Sequence, residues 1–242
     1  MKKFLRLIFL SVTLLTFLLL VRQNKAVYND LEIQQLHINV DHPERLYFVD
    51  DKIIENLVLM KVDSILGTSY EDINIFMLEE FVDSHPNIKK AELYLTSYGS
   101  LNIDVTQRHP IVRVLENEDS YYLDDKMNKF SLSDKYTARV LQVYWSKSSE
   151  ARKEILSFVL NVIDSDDFLS AFITAIEFDE RDELIIYPRV GDHKVIMGGS
   201  YNLLKKFENL KGFYKHGLGK IGWGKYSQIN LNYENQVVCT KR

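Results

Sequence analysis

The sequence predicts an α+β fold: an N-terminal transmembrane helix, a small β-α-α-β-β unit, then a mostly antiparallel β domain with covering helices. Three observations predict it. Leu7–Val21 is fifteen residues without a charge. From Ile33 to Thr106 the apolar spacing runs from strand-like to helical and back, ordering strand, helix, helix, strand, strand. Beyond Pro110, short alternating runs bounded by turn residues outnumber the helical stretches. The expected parts are a cytoplasmic N-terminus (1–6), the span and its exit (7–25), the small unit (26–110) and the β domain (111–242).

The uncharged run comes first. Its polar groups, the hydroxyls of Ser11, Thr13 and Thr16, can bond back to the preceding turn. Counted from Phe4, with Arg6 snorkelling to the headgroups, the segment is roughly 27 Å of helix, near the thickness of a hydrocarbon core. A cleaved secretory signal is the alternative, since Lys2 and Lys3 suit a charged n-region. No small-x-small cleavage site follows, and Val21-Arg22-Gln23-Asn24-Lys25 makes a poor one. Lys2, Lys3 and Arg6 before the span place the N-terminus inside and everything after Lys25 outside. Either reading exports the same domain.

Composition bounds what that domain is. With 46% hydrophobic residues, 12% aromatic residues and four prolines, the chain has the makings of a packed core and no long disordered tail. One cysteine, Cys239, rules out an intrachain disulfide, so packing alone must hold the exported part together. A formal charge of −4 argues against nucleic acid as a partner.

Ile33, Leu36, Ile38 and Val40 give the first strand, ended by Asp41-His42-Pro43. Asp50 or Asp51 caps a helix carrying Ile53, Ile54, Leu57 and Val58. Gly67 punctuates the next turn. A second helix runs from about Ile73 to Ser84, with Ile75, Leu78 and Val82 on one face, and Pro86 closes it. Ala91, Leu93 and Leu95, then Leu101, Ile103 and Val105, alternate with polar residues across the turn Tyr98-Gly99-Ser100. Two helices on one face of a three-stranded sheet follow from this order.

Further along, Val140–Trp145 reads as a strand. Arg152–Ile163 is amphipathic, with Ile155, Val159 and Val162 innermost and Leu156, Leu160 and Ile163 beside them. Ala175–Asp179 and Leu184–Tyr187 form a meander, and Val195–Gly198 precedes a helix at about Asn202–Tyr214. Gln228–Leu231 and Gln236–Thr240 close the chain around Tyr233-Glu234-Asn235.

This order of parts resembles a POTRA domain joined to the β domain of the cell-division family FtsQ/DivIB. The residues that carry it are His85–Leu95, then Leu101–Val114 with Gln107-Arg108-His109-Pro110 at the end of the last POTRA strand, where the family has a polar or acidic residue, Arg, any residue, Pro. Pro110 is then the joint between domains. Tyr121–Asp124 and Lys129–Leu132, either side of Asp125–Asn128, resemble the family's first hairpin after that joint, though its turn glycine is missing. The resemblance implies a bitopic, non-enzymatic protein of the bacterial cytoplasmic membrane, acting at the division septum. It implies that the last strands receive a segment of FtsB, itself coiled with FtsL. Carried over, the partner-binding residues are Tyr226, Ser227, Gln228, Ile229, Asn230, Leu231, Asn232 and Tyr233, with Trp223 as an aromatic anchor. Asn232 stands where many relatives have Arg. If strand addition occurs along this segment, Leu231→Pro abolishes capture while Gln228→Ala costs little.

Other motifs fail in context. Gly217-Leu218-Gly219-Lys220-Ile221-Gly222 spells a dinucleotide fingerprint, but a helix precedes it and a strand follows, the reverse of what a pyrophosphate site needs. Asp164-Ser165-Asp166-Asp167 lacks the glycine and glutamate of a calcium loop, with Leu169 and Ala175 in their places. It reads as an acidic turn ending a helix. The six histidines have no zinc spacing, and Cys239 reads as a small packed side chain. No nucleophile–base set is present, so no catalytic residue, cofactor or metal is assigned. Lys205–Lys225 holds six lysines and one acid, Glu208. That is either a solvated face or a basic rim for an acidic partner. A POTRA-bearing envelope-assembly factor that chaperones polypeptides is the alternative function.

Overall fold

The uncharged run winds into α1 (Lys2–Asn29), where the Thr13 and Thr16 hydroxyls donate back to the carbonyls of Leu10 and Thr13, each at 2.9 Å. The computed structural model describes residues 2–29, 31–43, 46–218, 222–234 and 236–242, and in α1 the side chains of Arg6 and residues 9–21. The described residues leave the span expected over 7–25 unconfirmed. Among the described residues no helix is long and apolar enough to cross a membrane.

The chain divides into two compact units, Met1–Arg108 and His109–Arg242. In the first, β1 (Gln35–Asp41), α2 (Asp51–Leu59), α3 (Ile75–Asp83), β2 (Ile88–Leu95) and β3 (Ser100–Gln107) follow the predicted order. Asp50 caps α2 by accepting the Ile53 N–H at 2.9 Å, and Asn74 caps α3 through the Met77 N–H at 3.1 Å. Both are the short polar side chains that satisfy orphan donors at a helix start. Ile54, Val58, Leu78 and Val82 are the buried faces of the two helices. The sheet order is β1-β3-β2, with β1 parallel and β2 antiparallel to β3. Gln107, which is buried, locks the preceding loop: its carboxamide accepts the Val49 N–H at 2.8 Å and donates to the Asp41 carbonyl at 2.7 Å.

The second unit carries β4 (Val112–Glu116), β5 (Asp119–Leu123), β6 (Lys129–Phe130), β7 (Leu141–Trp145), α4 (Glu150–Asp164), α5 (Asp167–Phe172), β8 (Ile173–Phe178), β9 (Leu184–Pro188), β10 (Lys194–Gly198), α6 (Leu203–Phe213), β11 (Tyr226–Asn230) and β12 (Val238–Lys241). One mixed sheet takes all nine strands in the order β12-β11-β10-β9-β8-β7-β4-β5-β6. Pairing is parallel at β4–β7, β7–β8 and β10–β11 and antiparallel elsewhere. The last two parallel pairs enclose α4 with α5, and α6, because a chain returning to the same end of a sheet needs a crossover. All three helices bury side chains in one core with the inward residues of the strands, among them Leu156, Phe172, Phe207, Val143, Ile186 and Ile229. Polar or amphipathic side chains alternate onto the other face, where Tyr144 donates to Gln142 at 2.6 Å and Tyr187 to Glu177.

Three elements differ from expectation. The stripe α4 buries is Arg152, Leu156, Val159 and Ile163, one position round from the predicted one, so Ile155 and Val162 sit at its flank. Asp166 does not end a helix; it starts α5 by accepting the Leu169 N–H at 3.0 Å. Val112–Glu116, passed over as a strand, pairs with β5 through a tight turn at Asn117, whose φ is +54°. A π-helical turn, Tyr214–Leu218, extends α6. The connection assigned to Gly219-Lys220-Ile221 lies outside the described residues.

Candidate partner-binding edge

At one end of the large sheet, β11 is held on both sides by its own chain. It pairs in parallel with β10 (Lys194↔Gln228, Val195↔Ile229, Ile196↔Asn230) and antiparallel with β12 (Gln228↔Thr240, Ile229↔Cys239, Asn230↔Val238). Ile229 and Leu231 are buried in the core, and the Leu231 N–H donates to the Ile196 carbonyl at 2.9 Å. Gln228, Ile229 and Asn230 therefore have strands of the same chain on both sides, while Tyr226 is paired with Lys241 of β12 alone. Of the segment Tyr226–Tyr233 expected to receive a partner's strand, Gln228–Asn230 would have to give up one of these ladders to do so. Asn232 and Tyr233 lie past the end of β11, both exposed, and Trp223 precedes it, 38% exposed and 5.3 Å from the Tyr214 ring.

The edge belongs to β12. Because Leu231 faces β10 with its N–H, strand alternation turns the backbone groups of Gln228 and Asn230 toward β12. Thr240 and Val238, opposite them, answer that ladder. Val237, Cys239 and Lys241 then point their N–H and C=O groups away from the sheet, where no described strand lies. The opposite edge of the sheet is β6, two residues long, too short to accept a strand.

Several contacts fix β12 in place. The Arg242 N–H reaches the Lys225 carbonyl at 3.2 Å, and its guanidinium donates to the Asp192 carbonyl at 2.6 Å. Beneath it lies an aromatic group: Tyr214 packs against Phe172 at 4.5 Å between centroids and near His193 at 5.7 Å. His193 Nδ1 lies 2.8 Å from the Gly191 carbonyl and Nε2 meets the Tyr214 hydroxyl. A carbonyl only accepts, so Nδ1 donates to it; in the neutral tautomer with that proton, Nε2 accepts from the tyrosine. Burial pushes the Tyr214 hydroxyl far up and raises the Cys239 thiol, so both stay protonated and uncharged.

The lysine-rich stretch splits. Lys206 is buried, donating to the carbonyls of Met197 at 2.6 Å and Gly199 at 3.0 Å, and burial lowers its pKa. Lys211 bonds the Asp166 carboxylate at 2.6 Å. Lys205, Lys215 and Lys225 remain exposed. Lys205 lines a cavity of about 320 Å³ together with Tyr201, Asn209, Asn232 and Tyr233. Gly198 lies against Asn232. Its φ is +71°, and a Cβ there would overlap the Asn232 carboxamide, so only glycine fits. Among the described residues no three His, Cys, Asp or Glu side chains converge as metal ligands.

Residues 109–240 match a family described as FtsQ/DivIB, C-terminal related, and residues 33–106 match a POTRA-like domain. The chain belongs to the FtsQ/DivIB family. FtsQ/DivIB proteins are cell-division proteins, which makes this a component of the division machinery. No curated protein matches the chain. Of the FtsQ/DivIB expectations, the mixed α+β fold with a POTRA-like unit holds. Alternation in sequence marks β11 and β12 alike, so the expectation covered the last strands without choosing which is the edge. Only the pairing partners tell them apart.

Proposed function

We propose that this chain is a non-enzymatic divisome scaffold that receives a strand of FtsB, coiled with FtsL, along the outer edge of β12. The observation that carries the reading is the outward set of backbone groups at Val237, Cys239 and Lys241, on a strand pinned at its far end by Arg242. Main-chain hydrogen bonds supply affinity in such additions, and side chains beside the strand supply choice. Trp223, Asn232 and Tyr233 are the side chains in reach of that role. Lys205, sharing a cavity with Asn232, offers the cation that relatives carry at the Asn232 position.

The N-terminal helix is the membrane anchor in this reading, with the N-terminus cytoplasmic. Large apolar side chains from Phe9 to Val21 are 48–71% exposed all round α1, which water disfavours and lipid accepts. Tethering in one membrane raises the effective concentration of the partners that build septal wall.

Co-purification of FtsB and FtsL from solubilised membranes tests this. Cys239→Pro removes an outward N–H and spares the ladder to β11, so it should cut capture by about tenfold or more. Capture by Cys239→Pro at the unmodified level contradicts the reading.

A further inference from the structure

The N-terminal unit has an open edge of its own. Gln35 donates its N–H to the Gly99 carbonyl at 3.2 Å, and β1 runs parallel to β3 from Gln35↔Ser100 to Asp41↔Thr106. Alternate residues bond in a parallel ladder. Gln35, His37, Asn39 and Asp41 therefore face β3, and Leu36, Ile38 and Val40 present their backbone groups on the far side. Among the described residues no strand pairs there with Gln35–Asp41.

The chain already uses the start of this line. Ile33 donates to Thr68 at 2.9 Å and accepts from Gly67 at 2.8 Å, and Tyr70 donates to Leu31 at 2.9 Å. Glu32 and Ser69 form an antiparallel bridge. The covering segment then turns off at Gly67, whose φ is +83°, and the edge beyond is left uncovered. A groove of about 770 Å³ runs there between β1 and α2. Its apolar lining includes Leu36, Ile38, Leu59 and Leu66, with Leu59 42% and Leu66 57% exposed. Among the described residues the carboxylate side chains in the lining are Asp51 and Glu55, both exposed on α2, and no lysine or arginine lines it.

We propose that this groove is a second strand-docking site, taking an extended segment of another protein that alternates lysine or arginine with apolar residues. Backbone pairing to Leu36, Ile38 and Val40 sets the register. Apolar side chains of the incoming strand fall on Leu59 and Leu66, and its cations face Asp51 and Glu55. The site is separate from β12 and does not depend on the reading of that edge.

The probe is a fluorescent peptide of about seven residues alternating lysine and valine, titrated by anisotropy against the full chain in detergent, with a glutamate-for-lysine peptide as control. The lysine peptide should bind, more weakly as salt rises, and the glutamate peptide should not. Ile38→Pro, which removes an outward N–H only, and the pair Asp51→Asn with Glu55→Lys should each weaken binding about tenfold or more. Cys239→Pro should leave it unchanged. If Ile38→Pro fails to fold, the charge pair decides alone. Absence of binding, binding indifferent to these variants, or loss with Cys239→Pro overturns the proposal. So does a dimer of the unmodified chain that Ile38→Pro dissociates, which would assign the edge to a second copy.

Discussion

Leu231 and Ile196 are joined by a backbone hydrogen bond of 2.9 Å that ties the end of β11 to β10 inside the core sheet. Leu231 is buried to within 2% of its surface. Leu231→Pro therefore strikes the protein's own fold rather than a partner's strand. It removes a ladder bond and a packed side chain, and it should cost about 3 kcal/mol or more. Thermal denaturation followed by circular dichroism checks this. A melting temperature equal to that of the unmodified chain would show that the β10–β11 pairing is wrong.

Gly198 and Asn232, which lines the Lys205 cavity, constrain each other. Gly198→Ala meets both a positive φ and the Asn232 side chain, and should destabilise by about 1–3 kcal/mol. Adding Asn232→Ala removes the overlap but not the backbone strain. The double variant should recover part of the loss in urea denaturation. Full recovery would mean that φ at Gly198 is not strained, and no recovery that the two residues do not touch.

Arg152 is a buried cation with mostly backbone company. Its guanidinium donates to the carbonyls of Lys147 at 2.9 Å and Asp179 at 3.0 Å, and to the Asp182 carboxylate at 2.6 Å. The Asp182 side chain is 64% exposed, so solvent weakens that ion pair. Arg152→Leu strands the acceptors and should cost about 2–4 kcal/mol, against less than about 1 for Asp182→Asn. Equal losses in urea denaturation would show that the ion pair, not the carbonyl contacts, holds the residue.

Acid should loosen the second unit before neutral pH does. The Lys211 ammonium and the Leu169 N–H hold the Asp166 carboxyl below the usual carboxylate range. At Asp179 burial works upward, but the N–H groups of Glu183 and Arg181 outweigh it and the net shift is down. A carboxylate depressed in the folded state adds stability above its unfolded pKa and loses it as pH falls through the folded one. Melting temperature should hold from pH 7 to about 5 and drop below about 4. Asp166→Asn should flatten part of that drop, and an unchanged acid slope would remove Asp166 from the account.

Much of the fold was legible because period and punctuation agreed. Asp50 before Ile53-Ile54, Pro86 after Ser84, and strict alternation from Leu101 to Val105 each name an element and its boundary. Pairing was not legible. Alternation at Gln228–Leu231 and at Gln236–Thr240 marks two half-buried strands, and which one lies outermost depends on β10 arriving beside β11, thirty residues away in sequence. Lys206 and Arg152 were hidden for a related reason: a charge in sequence reads as surface, and nothing in the sequence says that the carbonyls of Met197 and Gly199, or of Lys147 and Asp179, turn toward these two side chains. Asp166 misled because an N-cap and a helix-ending acidic turn look alike when two helices abut.

The central claim is that β12, not β11, carries the partner's strand. Residue-resolved hydrogen exchange of the full chain, with and without the FtsB ectodomain, tests it most directly. Slowed exchange at the Val237, Cys239 and Lys241 amides, with Val238 and Thr240 unchanged, is the predicted result. Protection that skips these three amides, or that falls elsewhere in the chain, would contradict it.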